Sequence, residues 1–121
     1  MTKTVLTIDD SRTMREMLSM ALVQAGYRVI QAVDGVEGLE ILKSEGADVV
    51  ITDINMPRLD GFGVIEGVRA NPDHRATPIL VLTTESDVAK KERARQAGAT
   101  GWIVKPFNPV KLIDAVRRVA A

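Results

Sequence analysis

Five short apolar runs rich in β-branched residues recur along the chain, each followed by a segment of helical period. They are "TVLTI" (4–8), "RVIQA" (28–32), "DVVIT" (48–52), "PILVLT" (78–83) and "GWIVK" (101–105). No other feature restricts the fold as strongly. A strand with no polar face must be covered on both sides. Alternation with helices supplies that cover, because right-handed crossovers lay helices on the two faces of a parallel sheet. The pattern predicts an α/β fold: a doubly wound, five-stranded parallel sheet with five helices.

The helical segments carry their own start and stop signals. Met14, Met17, Leu18, Ala21, Leu22 and Ala25 form an i, i+3, i+4, i+7 stripe, opened by a cap at Ser11 and stopped by Gly26. Val36, Leu39, Ile41 and Leu42 give a second helix behind Asp34-Gly35, and Phe62, Ile65 and Val68 a third behind Asp60-Gly61. Residues 86–97 and 108–120 supply two more, the last opened by Asn108 with Pro109 at the first helical position. No linker, repeat or low-complexity segment interrupts residues 1–121, which read as one domain.

Composition narrows the function classes. Apolar residues are 45% and charged residues 26% of the chain, and no apolar run is long enough to cross a bilayer. The N-terminal "MTKTVLTIDD" meets acid too early for a secretory h-region, and with no cysteine there is neither a disulfide framework nor a thiolate metal site. The expectation is a cytoplasmic protein without membrane contact. Net charge is zero but divided: residues 1–60 hold six Lys/Arg and ten Asp/Glu, residues 61–121 ten and six. Such asymmetry speaks to partners. Nucleic acid is a poor fit, since the basic residues are mixed with acids and only one Trp, one Tyr and two Phe are present to stack bases.

In doubly wound sheets, function gathers beyond the carboxyl ends of the strands. The first strand ends in Asp9-Asp10, the third in Asp53, the fourth in Thr83-Thr84 and the fifth in Lys105-Pro106. Independent turns have no reason to choose a hydroxyl and an ammonium to match three carboxylates, so the four ends read as one site. Three clustered carboxylates stay ionised only if something neutralises them, so either a pKa rises or a cation binds. With no Cys and a single His, an all-oxygen site suits Mg²⁺. A cation, an ammonium and a hydroxyl together complement a phosphoryl group, and a carboxylate among them can act as nucleophile to form an aspartyl phosphate.

The segments "IDDSRTMR", "VVITDINMPRLDGF", "ILVLTTES" and "GATGWIVKPF" resemble the motif blocks of response regulator receiver domains, and the likeness covers essentially the whole chain. It runs furthest towards the single-domain chemotaxis receivers of the CheY type. The resemblance implies a flavodoxin-like strand order of 2-1-3-4-5. It implies phosphorylation at Asp53 and Mg²⁺ ligation by Asp10 and Asp53, with Asp9 holding a metal-bound water and Asn55 lending its backbone carbonyl. Thr83 and Lys105 then meet the phosphoryl oxygens, Trp102 stands at the switch aromatic, and Lys105-Pro106 at a cis peptide. Asn55 and Glu85 fall where the family tunes loss of the phosphoryl group. On their own, Thr83 also suits a helix cap, and Trp102 a packed strand aromatic. His74, in "NPDHRATP", reads as a solvated loop residue, so the phosphohistidine donor belongs to a partner.

The function expected is a monomeric, phosphorylation-activated module without an output domain. A histidine kinase phosphorylates it, it dephosphorylates itself, and its loaded form binds a target, the flagellar motor switch in chemotaxis. Handing the group to a phosphotransfer protein, or draining a kinase as a phosphate sink, is the alternative. An aspartate-nucleophile phosphatase of the haloacid dehalogenase kind needs a second acid two residues after the nucleophile, and Asn55 stands there. The cationic residues Lys90, Lys91, Arg93, Arg95, Lys111, Arg117 and Arg118 are expected to flank strand five and to attract an acidic amphipathic segment.

Overall fold

A computed structural model describes residues 2–120. The elements alternate as β1 (Thr4–Ile8), α1 (Arg12–Gln24), β2 (Arg28–Ala32), α2 (Gly35–Glu45), β3 (Val49–Thr52) and α3 (Gly61–Ala70), followed by a 3₁₀ turn (Pro72–His74). β4 (Ile79–Thr83), α4 (Val88–Ala97), β5 (Gly101–Val104) and α5 (Pro109–Ala120) complete the chain. All strand pairs are parallel and their order is β2-β1-β3-β4-β5, the expected doubly wound, flavodoxin-like sheet.

The sheet divides the apolar residues by the two-residue period of a strand. Leu6 and Ile8 of β1, Val50 of β3 and Ile79 and Val81 of β4 face one cluster, completed by Leu42, Phe62, Ile65 and Val68. Val5, Val49, Ile51, Leu80 and Leu82 face the other, completed by Leu18, Leu22, Leu112 and Val116 from α1 and α5. Every residue of β3 and β4 is buried, which is why both read as continuous apolar runs. Each fully buried Leu or Ile contributes about 1.5–3 kcal/mol, so these two layers hold the strand ends in place.

The capping signals act as local chemistry predicts. Ser11 Oγ accepts from the Met14 amide at 3.2 Å, and Asn108 Oδ1 from the Val110 amide at 2.9 Å. Asp34 accepts from the Glu37 amide at 2.9 Å, and Glu37 reaches back to the Val33 amide at 3.0 Å, a reciprocal cap one residue wider than the usual box. Some expectations shift. Met17 is 48% exposed, because α1 buries a narrower stripe centred on Leu18 and Leu22. α4 begins at Val88, where Asp87 caps the Ala89 and Lys90 amides, and not at residue 86. His74 is half-buried in the 3₁₀ turn with Nδ1 2.9 Å from Thr77 Oγ1, so it is not a freely solvated loop residue.

Register brings the site together. Ile8 pairs with Thr52, so the next residues, Asp9 and Asp53, leave neighbouring strands side by side. Thr83 pairs with Val104, which places Lys105 one step beyond β5. No helix among the described residues is long and apolar enough to cross a membrane.

Candidate functional site

At the carboxyl edge of the sheet the Lys105 ammonium donates to Asp9 Oδ2 at 2.8 Å and to Asp53 Oδ2 at 2.9 Å. These residues are 96 and 52 positions apart in sequence. The side chains of Asp9, Lys105 and Asp53 are 2%, 9% and 12% exposed, so the pairing lies under little solvent. Burial pushes the Lys105 pKa down; its hydrogen bonds to Asp9 and Asp53, with their charges, overcome it, and the net direction is up. The lysine is therefore a fixed cation.

Asp10 is exposed and completes a cluster in which Asp9, Asp10 and Asp53 each offer a carboxylate oxygen, all within 4.8 Å of one another. Three carboxylates and one ammonium leave two negative charges, which one divalent cation balances. The donors are all oxygen, which fits a hard ion such as Mg²⁺. Backbone groups pin the carboxylates. Asp9 Oδ1 accepts from the Ser11 amide at 2.9 Å, and Asp53 Oδ1 from the Ile54 amide at 2.6 Å. Arg15 reaches from the first turn of α1 to donate to the Asp9 carbonyl at 2.8 Å.

Gly61, at the start of α3, closes the floor. Its amide donates to the Ile54 carbonyl at 2.8 Å, and a Cβ at this position would meet the Asp53 carbonyl oxygen and lie 2.8 Å from Ile54 Cα. Only glycine lets α3 come this close to the strand end. The loop between them is tied across to α2: Arg58, at φ 67°, makes a bidentate ion pair with Asp34 at 2.7 and 3.0 Å. The Arg58 hydrogen bonds hold the Asp34 carboxyl below its ordinary value.

The remaining residues surround the mouth of the site. Thr83 is fully buried, and its Oγ1 accepts from the Glu85 amide at 3.3 Å; it does not cap α4, a role held by Asp87. Asn55 is exposed and its amide donates to Glu85 Oε1 at 3.4 Å. Trp102 is half-buried against the first apolar cluster, with its indole N–H donating to the Glu85 carbonyl at 3.2 Å. The Lys105–Pro106 peptide is cis. Thus Asp9, Asp10, Asp53 and Lys105 meet directly, while Thr83, Asn55 and Trp102 converge on Glu85. Sequence reasoning named Lys90 only as part of a cationic face and missed its ammonium lying 3.1 Å from Glu85 Oε1, as it missed the Arg58–Asp34 pair. Glu85 precedes α4 and the spacing to Lys90 is five, so no helical i, i+4 signal marked the contact.

The family model for the response regulator receiver domain matches residues 5–117. The chain belongs to the response regulator receiver family. This receiver has the fold of CheY4 from Vibrio cholerae, with a TM-score of 0.94 and 44% identity over 98% of this chain and 99% of that one. A CheY homologue of Campylobacter jejuni is 38% identical over 95% of this chain and 90% of its own length. A ycf27 protein of Guillardia theta, named as a transcriptional regulator, is 42% identical over 95% of this chain, but the chain spans 44% of that protein's length. The receiver domain of a Pseudomonas aeruginosa sensor histidine kinase, solved with a magnesium ion in its active-site cleft, superposes with a TM-score of 0.91 at 26% identity and is covered over 98% of its length. Membership places the receiver in phosphorylation-activated two-component signalling.

Of the cationic face expected beside β5, the structure redistributes a part. Arg93 lies over the Phe62 ring at 3.9 Å and so faces α3, Arg95 pairs with Glu92, and Lys90 is engaged by Glu85. Lys91, Arg95, Val88 and Trp102 line a groove of about 380 Å³ between α4 and β5.

Proposed function

We propose that this receiver takes a phosphoryl group on Asp53 from a partner histidine kinase, with Mg²⁺, and then binds the flagellar motor switch. The observation that carries the reading is the Lys105 ammonium shared between Asp9 and Asp53 inside a carboxylate cluster of residual charge minus two. In the transfer, an Asp53 carboxylate oxygen bonds to phosphorus as the phosphorus–nitrogen bond of the donor histidine breaks, and the imidazole leaves. Asp10, Asp53 and the Asn55 carbonyl would hold Mg²⁺, with Asp9 binding one of its waters, and the bound ion would supply charge neutralisation for that transfer. Lys105, already poised on Asp53, moves from carboxylate to phosphoryl oxygen, and the Thr83 hydroxyl donates to another. Chemistry on the protein is limited to accepting the group and losing it to water.

The signal leaves by protein contact. Thr83 and Trp102 share Glu85 as a hydrogen-bonding partner, so a hydroxyl drawn to the phosphoryl group disturbs the loop on which the indole rests. The groove between α4 and β5, lined by Val88, Lys91 and Trp102 together with the Arg95–Glu92 pair, fits an amphipathic segment of the motor switch with an acidic residue opposite Lys91. The similarity to CheY homologues over nearly their full length supports this target. The test is affinity capture with the flagellar motor switch protein, using receiver loaded with beryllofluoride and Mg²⁺ against an Asp53→Asn control. Retention by the loaded protein alone is expected. Equal retention of the control, or no retention of the loaded protein, overturns the motor target.

A further inference from the structure

Glu85 is held at four points. Its amide donates to Thr83 Oγ1 at 3.3 Å, and its carbonyl accepts from the Trp102 indole at 3.2 Å. Its carboxylate Oε1 accepts from Lys90 Nζ at 3.1 Å and from Asn55 Nδ2 at 3.4 Å. The first two bonds fix the main chain, so the direction of the carboxylate is decided by the last two. Of these, the ammonium contact is shorter and charge-assisted, whereas 3.4 Å is long for an amide donor. Lys90 therefore sets the position of Glu85, and through Glu85 that of the Asn55 side chain.

That placement matters because Asn55 is two residues from Asp53 and exposed at the mouth of the site. Glu85 is half-buried, with a side chain 29% exposed, and Lys90 reaches it from the first turn of α4. The ion pair ties a carboxylate across the opening beside the carboxylate cluster, where it would otherwise be repelled into solvent by any further negative charge.

We propose that Lys90 is a positioning residue for loss of the phosphoryl group from Asp53: by holding Glu85 over Asn55, it narrows the approach of water to phosphorus. This rests on Asp53 being the acceptor, as proposed above. In the step concerned, the oxygen of water bonds to phosphorus as the bond between phosphorus and the Asp53 oxygen breaks. The Asp53 carboxylate is regenerated, and inorganic phosphate leaves with the oxygen and protons of the water. Without Lys90, the phosphoryl charges drive the Glu85 carboxylate outward, Asn55 loses its partner, and the approach opens.

The experiment loads the full chain with acetyl phosphate and Mg²⁺, removes the donor, and follows decay of the phosphorylated form by intact mass. Lys90→Ala is expected to shorten the lifetime about threefold, within reach of the energy of a partly exposed ion pair. Lys90→Arg, which keeps the cation, restores most of it. In a Glu85→Ala background, Lys90→Ala has no further effect, which distinguishes action through Glu85 from a direct effect of the ammonium. An unchanged or longer lifetime in Lys90→Ala, or the same shortening in both backgrounds, overturns the proposal. Failure of the wild-type chain to take up phosphoryl at all overturns the acceptor reading instead.

Discussion

Replacing Lys105 by methionine removes the one cation inside the carboxylate cluster while keeping the length of the side chain. The ammonium makes hydrogen bonds of 2.8 and 2.9 Å to Asp9 and Asp53, both in a buried setting. Each charge-assisted bond is worth about 1.5–3 kcal/mol net, and breaking a buried pair from one side strands the other charge at a cost of about 3–5 kcal/mol. Solvent at the exposed Asp10 side of the cluster relieves part of this, so a net loss of about 3 kcal/mol is expected in Mg²⁺-free buffer. At this chain length 1 kcal/mol moves the melting temperature by roughly 4 °C, so Lys105→Met should melt about 12 °C lower. Added Mg²⁺ should raise the variant's melting temperature by more than the wild type's, because the cluster now carries three uncompensated charges. The complementary variant, Asp10→Asn, removes a like charge within 4.8 Å of its neighbours and should melt about 4 °C higher without Mg²⁺. Thermal unfolding followed by circular dichroism with and without Mg²⁺ reads both. A drop below about 3 °C in Lys105→Met, or a lower melting temperature in Asp10→Asn, would refute the electrostatic account of the site.

Asp34→Asn keeps the cap of α2 but loses the ion pair with Arg58. Because Asp34 titrates below its unfolded value, its contribution is complete above that value and fades as pH falls through the folded pKa. Urea unfolding should show the variant weaker than wild type at pH 7 and the two converging below about pH 4. Gly61→Ala forces a Cβ against the Asp53 carbonyl and should cost about 1–3 kcal/mol by the same assay, with weakened Mg²⁺ binding measured by titration calorimetry. Trp102→Phe loses the donor to the Glu85 carbonyl, so amide exchange of residues 84–87 should quicken while that of β1 stays as it is.

The sheet was legible because the inner strands β1, β3 and β4 are almost wholly buried on both faces and the partly exposed edge strands β2 and β5 still carry β-branched apolar residues. The same reasoning placed Asp9, Asp53, Thr83 and Lys105 together, since in a parallel sheet all strand ends that precede a helix lie along one edge. Elements with little apolar content were less legible. The segment "TESDVAKKERARQA" buries only Ala94 within α4, so its start was fixed by the Asp87 cap and not by periodicity. Met17 fits the helical stripe yet stays exposed, because α1 is gripped along Leu18 and Leu22, with Met14 packed beside them. Arg69 gave no signal at all. It donates to the carbonyls of His74, Thr77 and Gly98, joining the end of α3 to the end of α4, and backbone acceptors leave no mark in a side-chain pattern. The Arg58–Asp34 pair joins a loop to the start of α2, and the Lys90–Glu85 pair joins the first turn of α4 to the loop before it; both approaches depend on how helices settle on the sheet.

The central claim is that Asp53 accepts a phosphoryl group in a Mg²⁺-dependent reaction catalysed by the receiver's own residues. The most direct measurement treats the chain with acetyl phosphate, with Mg²⁺ or with EDTA, reduces the acyl phosphate with borohydride, and maps the product by peptide mass spectrometry. A single modified residue, Asp53, is expected with Mg²⁺, and no modification with EDTA or in Asp53→Asn. Full modification of Asp53→Asn at another carboxylate, or undiminished modification in EDTA, would contradict it.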